Sequence, residues 1–302
     1  MGQLIALCIG LFQAIAGIKS PGIQAIRYVA NMSPARYDVF VVAHEDDWQL
    51  FMGDIAAKQV RAGDSVSFVY LTAGDDGRDS LYWRTRERAA LRSTRVAIGR
   101  DASDSAAVRC SMTTVLNHPI QQCVVANTKS YFLRLPDGKR NGMGFASHDY
   151  QSLRKLRSRK ILVVNAVDRS AAYNGWEDLT STISSVIGAN SSDRDVVVHS
   201  NDPSIAANPH DHFDHRMTGL LVEDLRQRQQ WKTQYYVGYA LSTRAANRST
   251  EQAREKTAIF LAYDNEMRRV NPKWSAYEEH PGFYSECMLR TYARKARSSN
   301  RR

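Results

Sequence analysis

The sequence has little of what marks several common protein classes. It has 4 cysteines and no C-x-x-C pair, which argues against a zinc site built from thiolates. Only 8 of its 302 residues are proline and 24% are charged, so extended disorder is not expected. The sequence lacks internal repeats, and it lacks the aromatic-interleaved basic motif and the helix-turn-helix pattern of nucleic-acid-binding domains. With 43% hydrophobic residues, the chain can bury one sizeable core or two small ones.

One long apolar run is present, at the N-terminus. Leu4 to Ala16 is nearly all apolar, but it is shorter than the roughly 20 residues of a membrane-spanning helix. It ends in Ala14-Ile15-Ala16, a small-x-small pattern that suits signal peptidase, although the first basic residue, Lys19, follows it. We therefore predict that residues 1–20 are a signal peptide, that the protein is secreted, and that the mature chain has no stable membrane span. The alternative is a buried or interfacial helix in a cytoplasmic protein.

Positive charge is in excess, with a net charge of +10 and an isoelectric point of about 9.5. Such a balance accompanies nucleic-acid binding, an anionic polymer or surface, or only good solubility. Because the positive residues are spread along the chain and form no nucleic-acid motif, we expect no specific nucleic-acid partner. If the basic tail does bind nucleic acid, removal of residues 291–302 abolishes retention on heparin or DNA. Much of the positive charge lies at Arg134, Lys139, Arg140, the basic residues between 154 and 160, and those of the tail RTYARKARSSNRR.

The positions of the cysteines are relevant to whether the protein reaches an oxidising compartment. Cys8 lies within the apolar run and would leave with a signal peptide. Cys110 and Cys123 lie 13 positions apart in a strand-rich stretch, which suits a disulfide across a hairpin in an oxidising compartment. We expect that bond only if the chain is secreted.

Strand-like and helix-like segments alternate along the chain. Residues 37–43 (YDVFVVA), 65–72 (SVSFVYLT) and 195–200 (DVVVHS) are apolar runs typical of strands buried on both faces of a parallel sheet. Their alternation with helical patterns predicts an α/β fold with a mostly parallel sheet. We expect one domain over residues 36–285 and a basic tail over 286–302. Helices are predicted at 48–61, 82–98, 174–187, 215–230 and 251–268, short β-runs between 108 and 135, and a further strand at 234–240.

Two polar clusters follow predicted buried strands. His44-Glu45-Asp46-Asp47 follows the first strand, and Asn208-Pro-His-Asp-His-Phe-Asp-His215 follows the strand at 195–200. Because ligands bind beyond the carboxyl ends of strands in such sheets, both clusters lie where a site is expected. Two imidazoles and a carboxylate with an open position are typical of catalytic zinc, and they also suit ferrous iron. A nearby carboxylate outside the ligand set would serve as the general base.

These clusters carry a resemblance to a known family. HEDD and HFDH resemble the signatures A-H-P-D-D-E and H-P-D-H of the LmbE/PIG-L family of zinc-dependent N-deacetylases. LTAGDDG at 71–77 resembles the turn after the family's second strand, and RLPDG at 134–138 resembles its mid-chain Asp-Gly turn. DHRMTG, which continues the second cluster, resembles the start of a family helix. The resemblance covers roughly residues 36 to 240 and implies the LmbE-like, Rossmann-like fold with helices on both faces of the sheet.

The resemblance also implies roles for individual residues. His44, Asp47 and His215 correspond to the metal ligands. Asp46 corresponds to the general base that takes a proton from an activated water. His212 would polarise the amide carbonyl or stabilise the oxyanion, and Asp214 would orient it.

Expected substrate contacts rest on fewer observations. Asp137 matches a family position that reaches the sugar, and Arg84 or Arg86 is a candidate for a hydroxyl or phosphate contact. Glu45 and Trp48 replace the proline and the last glutamate of the first signature. Trp48 would therefore form an aromatic wall against a sugar face. Phe213 replaces the proline of the second signature. His210 and Asp211 are extra polar groups and alternative ligands, although the register of DHR after Phe213 favours His215.

The sequence thus favours a metal-dependent hydrolase that removes an N-acetyl group from an amino sugar or glycan, with zinc, or alternatively ferrous iron, as its cofactor. A hydrolase of another amide or carbamoyl bond would differ only in the shape of its pocket. The alternative from another class is a carbohydrate-binding protein with an idle metal site. Since Asp46→Asn removes turnover and spares binding, that variant separates the two. The oligomeric state stays open.

Overall fold

The computed structural model describes residues 36–100, 108–191 and 194–296. The predicted signal peptide at 1–20 lies outside the described residues, as do residues 297–302. Among the described residues, no helix has the length and apolar character needed to cross a membrane.

Ten strands lie within the described residues. They are β1 (Arg36–Val42), β2 (Ser65–Thr72), β3 (Arg109–Val115), β4 (His118–Val125), β5 (Thr128–Leu135), β6 (Val163–Asn165), β7 (Ala172–Asn174), β8 (Asp195–Asn201), β9 (Lys232–Tyr236) and β10 (Ala293–Lys295).

The same part of the chain forms eight α-helices and three short 3₁₀ turns. The helices are α1 (Asp47–Arg61), α2 (Ser80–Ala97), α3 (Leu153–Arg157), α4 (Gly175–Gly188), α5 (Phe213–Arg228), α6 (Thr250–Val270), α7 (Ala276–Glu279) and α8 (Pro281–Met288), and the 3₁₀ turns are Ala146–His148, Tyr239–Thr243 and Pro272–Trp274.

Eight strands form one sheet in the order β10-β9-β8-β1-β2-β5-β4-β3, and β6 pairs with β7. The five central strands, from β9 to β5, are parallel, while β10, β4 and β3 pair antiparallel at the two edges. The chain runs from β1 to β2 on one side, and it later returns to place β8 on the other side of β1. The crevice between the carboxyl ends of β1 and β8 is therefore the topological switch point, where α/β sheets bind ligands.

Helices cover both faces of the sheet, as the sequence predicts. Alternate residues of β1 point to opposite faces because side chains alternate along a strand. Tyr37, Val39 and Val41 pack in one hydrophobic cluster with residues of α3, α4 and α5. Phe40 and Val42 pack in the other with residues of α1, α6 and α8. The α/β fold with a mostly parallel sheet is therefore confirmed.

Two sequence predictions of element bounds are wrong. The strand expected over 234–240 ends at Tyr236, and a 3₁₀ turn follows Gly238. The domain does not end at residue 285, because Cys287 and Met288 are buried in the core and Ala293–Lys295 forms the edge strand β10. Hydrogen bonds with β9 hold this basic segment, so it is part of the sheet and not a tail.

Cys110 and Cys123 face each other across β3 and β4 and form a disulfide. The hairpin bond that the spacing suggests is therefore present. Cys123 is buried in the core cluster on the α1 side of the sheet, so the bond joins the outermost strand, β3, to that core. Cys287, the other cysteine among the described residues, is free and buried.

Candidate metal centre and active site

Three side chains from the two polar clusters converge at the switch point. His44 Nδ1 lies 3.2 Å from His215 Nε2 and 3.5 Å from Asp47 Oδ1, and the latter two atoms are 2.9 Å apart. His44 comes from the turn that joins β1 to α1, Asp47 is the first residue of α1, and His215 comes from the first turn of α5. All three are buried. The fold thus brings together the three residues that the resemblance implies as metal ligands.

Further hydrogen bonds orient two of these donors, Asp47 and His215. Asp47 Oδ2 accepts the backbone N–H groups of Ala43 (3.0 Å) and His44 (2.9 Å), so its Oδ1 is left to face the imidazoles. Asp211 Oδ1 lies 3.0 Å from His215 Nδ1. A carboxylate in that place holds the imidazole proton on Nδ1 and leaves Nε2 as the ligand atom, as it does for most metal-bound histidines.

The spacing of the donors fits a tetrahedral divalent ion. Zinc–nitrogen distances of about 2.0–2.1 Å put two ligands of such an ion about 3.3 Å apart. The three separations here are 2.9, 3.2 and 3.5 Å. Two imidazole nitrogens that face each other so closely need a proton or a cation between them. The three residues present therefore fit a zinc or ferrous ion, and the ligand types do not distinguish the two metals.

The electrostatics of the cluster favour positive charge. Burial lowers the pKa of His215, but the carboxylates of Asp47 and Asp211 outweigh it and raise that pKa to about 10. Burial raises the pKa of Asp47, but His215 and His44 outweigh it and hold that pKa well below its ordinary range. A divalent cation at this position supplies the positive charge that these carboxylates favour.

Asp46 lies between His44 and Asp47 in the sequence and is the N-cap residue of α1. Its Oδ1 accepts a hydrogen bond of 2.6 Å from Arg86 Nη2, while its Oδ2 makes none with the described residues. Arg86 Nε also donates to Glu45 Oε2 at 3.0 Å. Arg86, one of the two arginines expected to contact substrate, therefore binds two acidic side chains of the first cluster and is only 12% exposed.

His212 is the N-cap residue of α5, and its ring centroid lies 4.6 Å from that of His44 and 5.5 Å from that of His215. Its Nδ1 accepts the backbone N–H of Asp214 at 3.2 Å. A neutral imidazole whose Nδ1 is an acceptor carries its proton on Nε2, so Nε2 is a donor. Burial lowers the pKa of His212, and the charges of His44 and His215 lower it further. His212 is thus a neutral hydrogen-bond donor, as oxyanion stabilisation needs.

The carboxylate of Asp214 does not orient His212 as expected. Its Oδ2 accepts the Gly138 N–H at 2.7 Å, lies 3.6 Å from His44 Nε2, and is 3.8 Å from His212 Nδ1. The backbone amide of Asp214 orients the imidazole, and its carboxylate holds the loop after β5. A Cβ at Gly138 would lie 2.4 Å from Asp214 Oδ1, so the glycine of the RLPDG turn permits this close approach.

Asp137 lies within the same cluster, as the family position predicts. Its Oδ2 is 3.7 Å from His44 Nε2 and its Oδ1 is 3.7 Å from His212 Nε2. Its backbone N–H donates to Asp75 Oδ1 at 2.9 Å, and Asp75 Oδ2 is 2.8 Å from His148 Nε2. Burial raises the pKa of Asp137 to about 6. The turn at 71–77 therefore supports Asp137 through Asp75.

Two expected substrate contacts are not found at the site. Trp48 is fully buried, its ring packs 4.5 Å from that of Phe68, and its Nε1 donates to Tyr70 Oη. The aromatic wall is therefore a wrong prediction, because the first turn of α1 points this side chain into the core. Arg84 is exposed on α2 and stacks on Trp83 at 4.6 Å, and no described contact joins it to the metal cluster.

Sequence reasoning missed the roles of three acidic residues. Asp211 looked like a competing ligand, but it contacts His215 from behind and also accepts the Tyr239 N–H. Glu45 and Asp75 gave no signal beyond their places in the two motifs. Their partners, Arg86 and His148, are 41 and 73 positions away, so no local spacing shows the pairing.

The fold is similar to those of several solved structures. N,N'-diacetylchitobiose deacetylase from Pyrococcus horikoshii is 16% identical, with 87% of this chain and 84% of that chain covered and a TM-score of 0.44. A deacetylase of the teicoplanin biosynthetic pathway is 12% identical, with 88% and 100% covered and a TM-score of 0.46. The 4-carboxy-2-hydroxymuconate hydratase GalB from Pseudomonas putida KT2440 is 12% identical, with 83% and 82% covered and a TM-score of 0.40. At such scores, these likenesses carry no argument about chemistry.

The family match is more specific. No curated protein sequence matches the chain. The pattern of the PIG-L family, described as GlcNAc-PI de-N-acetylase, matches residues 39–225. That range is more than half of the chain, and it includes both polar clusters and the turns at 71–77 and 134–138. The chain therefore belongs to the PIG-L family, which supports a de-N-acetylase of the amino-sugar type.

Proposed function

We propose that this protein is a zinc-dependent hydrolase that removes the N-acetyl group from an amino sugar of the N-acetylglucosamine type, carried on a glycan or glycoconjugate. The observation that carries the proposal is the convergence of His44, Asp47 and His215. Asp46, the sequence neighbour of Asp47, has a carboxylate oxygen with no hydrogen bond to the described residues, and His212, whose ring lies 4.6 Å from that of His44, offers an Nε2–H. Metal ligands, a base and an oxyanion donor are the parts that amide hydrolysis needs.

Each residue then has a separate task. A bound zinc ion supplies Lewis acidity and lowers the pKa of water at the site. Asp46 takes a proton from the attacking water through its free Oδ2. His212 donates its Nε2–H to the amide oxygen as negative charge develops there, an interaction worth roughly 3 kcal/mol of barrier. Water adds to the carbonyl carbon, Asp46 passes the proton that it took to the amide nitrogen, and the C–N bond breaks, which yields acetate and the free amine.

One carboxylate is well placed to contact the sugar. Asp137 lies between His44 and His212 at 3.7 Å from each, and the Asp75–His148 pair supports its backbone. We assign it the contact to a sugar hydroxyl. Arg84 stays a proposal for a contact to a more distant hydroxyl or phosphate, since it is exposed on α2.

The loop of residues 138–160 supports an anionic acceptor. It carries seven Lys or Arg residues and one acidic residue. The loop is fixed to the site, because the Gly138 N–H donates to Asp214 and the carbonyl of Arg140 accepts the Phe213 N–H at 3.2 Å. Positive charge beside a reaction centre raises the local concentration of anionic substrate and falls in effect with salt.

We also propose that the protein is secreted. The disulfide between Cys110 and Cys123 supports an oxidising compartment, where such bonds persist. An extracellular or surface glycan would then be the substrate, and a specific nucleic-acid partner is not part of the proposal.

The experiment is acetate release from a panel of N-acetylated sugars and oligosaccharides, with neutral and carboxylate- or phosphate-bearing members. Acetate in equal amount to new free amine is expected, together with loss of activity in chelator and recovery with zinc. Zinc and ferrous iron are compared by the metal content of the purified protein and by the activity that each metal restores after chelation. For an anionic substrate, kcat/KM should fall as salt is raised, while that of a neutral one stays flat. If the protein binds its full complement of metal and binds sugar but releases no acetate, the result would favour the carbohydrate-binding alternative.

A further inference from the structure

Arg86 connects two neighbouring carboxylates of the first cluster. Its Nη2 donates to Asp46 Oδ1 at 2.6 Å and its Nε to Glu45 Oε2 at 3.0 Å. Glu45 is 1% exposed and its backbone carbonyl is bonded by the Gln49 side chain at 2.8 Å. The guanidinium lies 6.0 Å from the ring centroid of Tyr82 and 5.8 Å from that of Tyr263. The arginine is therefore held from several directions and has little freedom of its own.

The backbone makes room for this pair. Gly74 has a φ of +50°, and a Cβ there would lie 2.7 Å from Glu45 Oε2 and 2.8 Å from Arg86 Nε. The turn after β2 thus passes directly over the Glu45–Arg86 contact. Any larger residue at position 74 would displace the pair, which gives this glycine a reason beyond its turn conformation.

The pair also explains how the chain departs from the family signature. Where the signature has proline, this chain has Glu45, and where it has its last glutamate, this chain has the buried Trp48. A carboxylate is thus lost at position 48, inside the core, and gained at position 45, where it contacts Arg86.

We infer that Arg86, held by Glu45, is a positioning residue that fixes the carboxylate of Asp46 for its work as the base. The inference rests on the proposed function. Arg86 occupies Oδ1 and leaves Oδ2 free, so one rotamer of Asp46 is selected and one oxygen is available to water. A planar guanidinium with two fixed N–H directions suits this task, whereas a lysine does not reproduce both contacts.

The same geometry opposes a substrate contact for Arg86. Two of its nitrogens already bind carboxylates, and 12% of its side chain is exposed. A substrate group that recruited it would have to displace Asp46 or Glu45. Loss of Arg86 should therefore affect the rate of the chemical step more than the binding of substrate.

The test compares Arg86→Gln, Arg86→Lys and Glu45→Gln with wild type on the best substrate of the panel. Arg86→Gln is expected to lower kcat about 10- to 100-fold with KM within about twofold, since misplacing a catalytic group by about 1 Å costs that much. The kcat values of Arg86→Lys and Glu45→Gln should lie between those of wild type and Arg86→Gln. Arg88→Gln is the matched control, because Arg88 is on the same helix and pairs with Glu266 away from the site.

A double-mutant cycle shows whether Arg86 acts through Asp46. In an Asp46→Asn background, Arg86→Gln should cause no further loss, because the group that it positions is already disabled. Zinc content and the rise in melting temperature on adding zinc should equal those of wild type in all variants, which provides a readout independent of turnover.

Three results would overturn the inference: a raised KM with unchanged kcat, loss of zinc from Arg86→Gln, or an additive loss in the Asp46→Asn background. The first would make Arg86 a substrate contact, and the second a support of the metal site. Failure of the proposed function looks different, since wild type itself would then release no acetate.

Discussion

The carboxylate of Asp211 lies 3.0 Å from Nδ1 of His215, and the opposite nitrogen of that imidazole faces Asp47 Oδ1 at 2.9 Å. The histidine is thus fixed from both sides, with its ligand atom directed at the candidate metal position. Gly238 allows this arrangement, because a Cβ there would lie 2.5 Å from Asp211 Oδ2.

We predict that Asp211→Asn weakens zinc affinity about 10- to 100-fold and leaves the fold intact, because outer carboxylates orient and polarise histidine ligands. Competition with a chromophoric chelator measures the affinity. Asp224→Asn, further along α5 and bonded to Trp176, is the control and should bind zinc as wild type does. An unchanged affinity in Asp211→Asn would show that His215 needs no such support.

Trp48→Phe tests the corrected role of the tryptophan. Because Trp48 is buried against Phe68 and donates to Tyr70 Oη, the smaller ring should lower the free energy of unfolding by about 1–3 kcal/mol. KM should stay within about twofold of wild type. Urea unfolding and steady-state kinetics measure the two quantities. A raised KM with unchanged stability would restore the sugar-stacking role.

Sequence alone predicts the parts of this fold that depend on local pattern. The strand at 65–72 has the predicted bounds, and α1 and α6 begin within one residue of their predicted starts. Apolar runs and helical periodicity are sufficient there, because each segment carries its own signal. The sequence also places both polar clusters at the carboxyl ends of strands, and the sheet then sets those two strands side by side, which brings His44 and His215 together.

Features that depend on side-chain packing are not predictable in this way. Arg86 lies at a spacing that suits either a substrate contact or an internal pair, and only the tertiary structure selects Asp46 and Glu45 as its partners. The basic composition after residue 285 indicates a tail, yet three of those residues complete the sheet. Edge strands this short have too few residues for a periodic signal.

The disulfide should contribute measurably to stability. Cys110 and Cys123 are 13 positions apart, and closing a loop of about that length restricts the unfolded chain by about 3 kcal/mol. The double variant Cys110→Ala with Cys123→Ala should lose about that free energy of unfolding, and reductant should lower the stability of wild type but not of the variant. Equal free energies of unfolding for wild type and the double variant in the absence of reductant would contradict the prediction.

Lys256 should make the stability depend on pH. It is fully buried, its Nζ donates to the Cys287 carbonyl at 2.8 Å, and burial lowers its pKa from 10.5 to about 8. Between those values the unfolded chain holds the proton and the folded chain releases it. The free energy of unfolding should therefore rise with pH from about 8, by at most about 1.4 kcal/mol per unit.

Urea unfolding of wild type and Lys256→Met between pH 7.5 and 9 isolates this effect. Wild type should gain stability relative to the variant as the pH rises, since the variant has no proton to release at position 256. A constant difference between the two proteins over that range would show that Lys256 does not titrate there.

The most direct test of the central claim compares zinc-loaded wild type with Asp46→Asn on one N-acetylated amino sugar, with acetate, bound zinc and sugar binding all measured. The account predicts equal zinc and equal sugar binding, with acetate release reduced at least about 100-fold in Asp46→Asn, as expected for loss of a general base. Full acetate release by Asp46→Asn, or none by wild type with zinc and sugar bound, would contradict it.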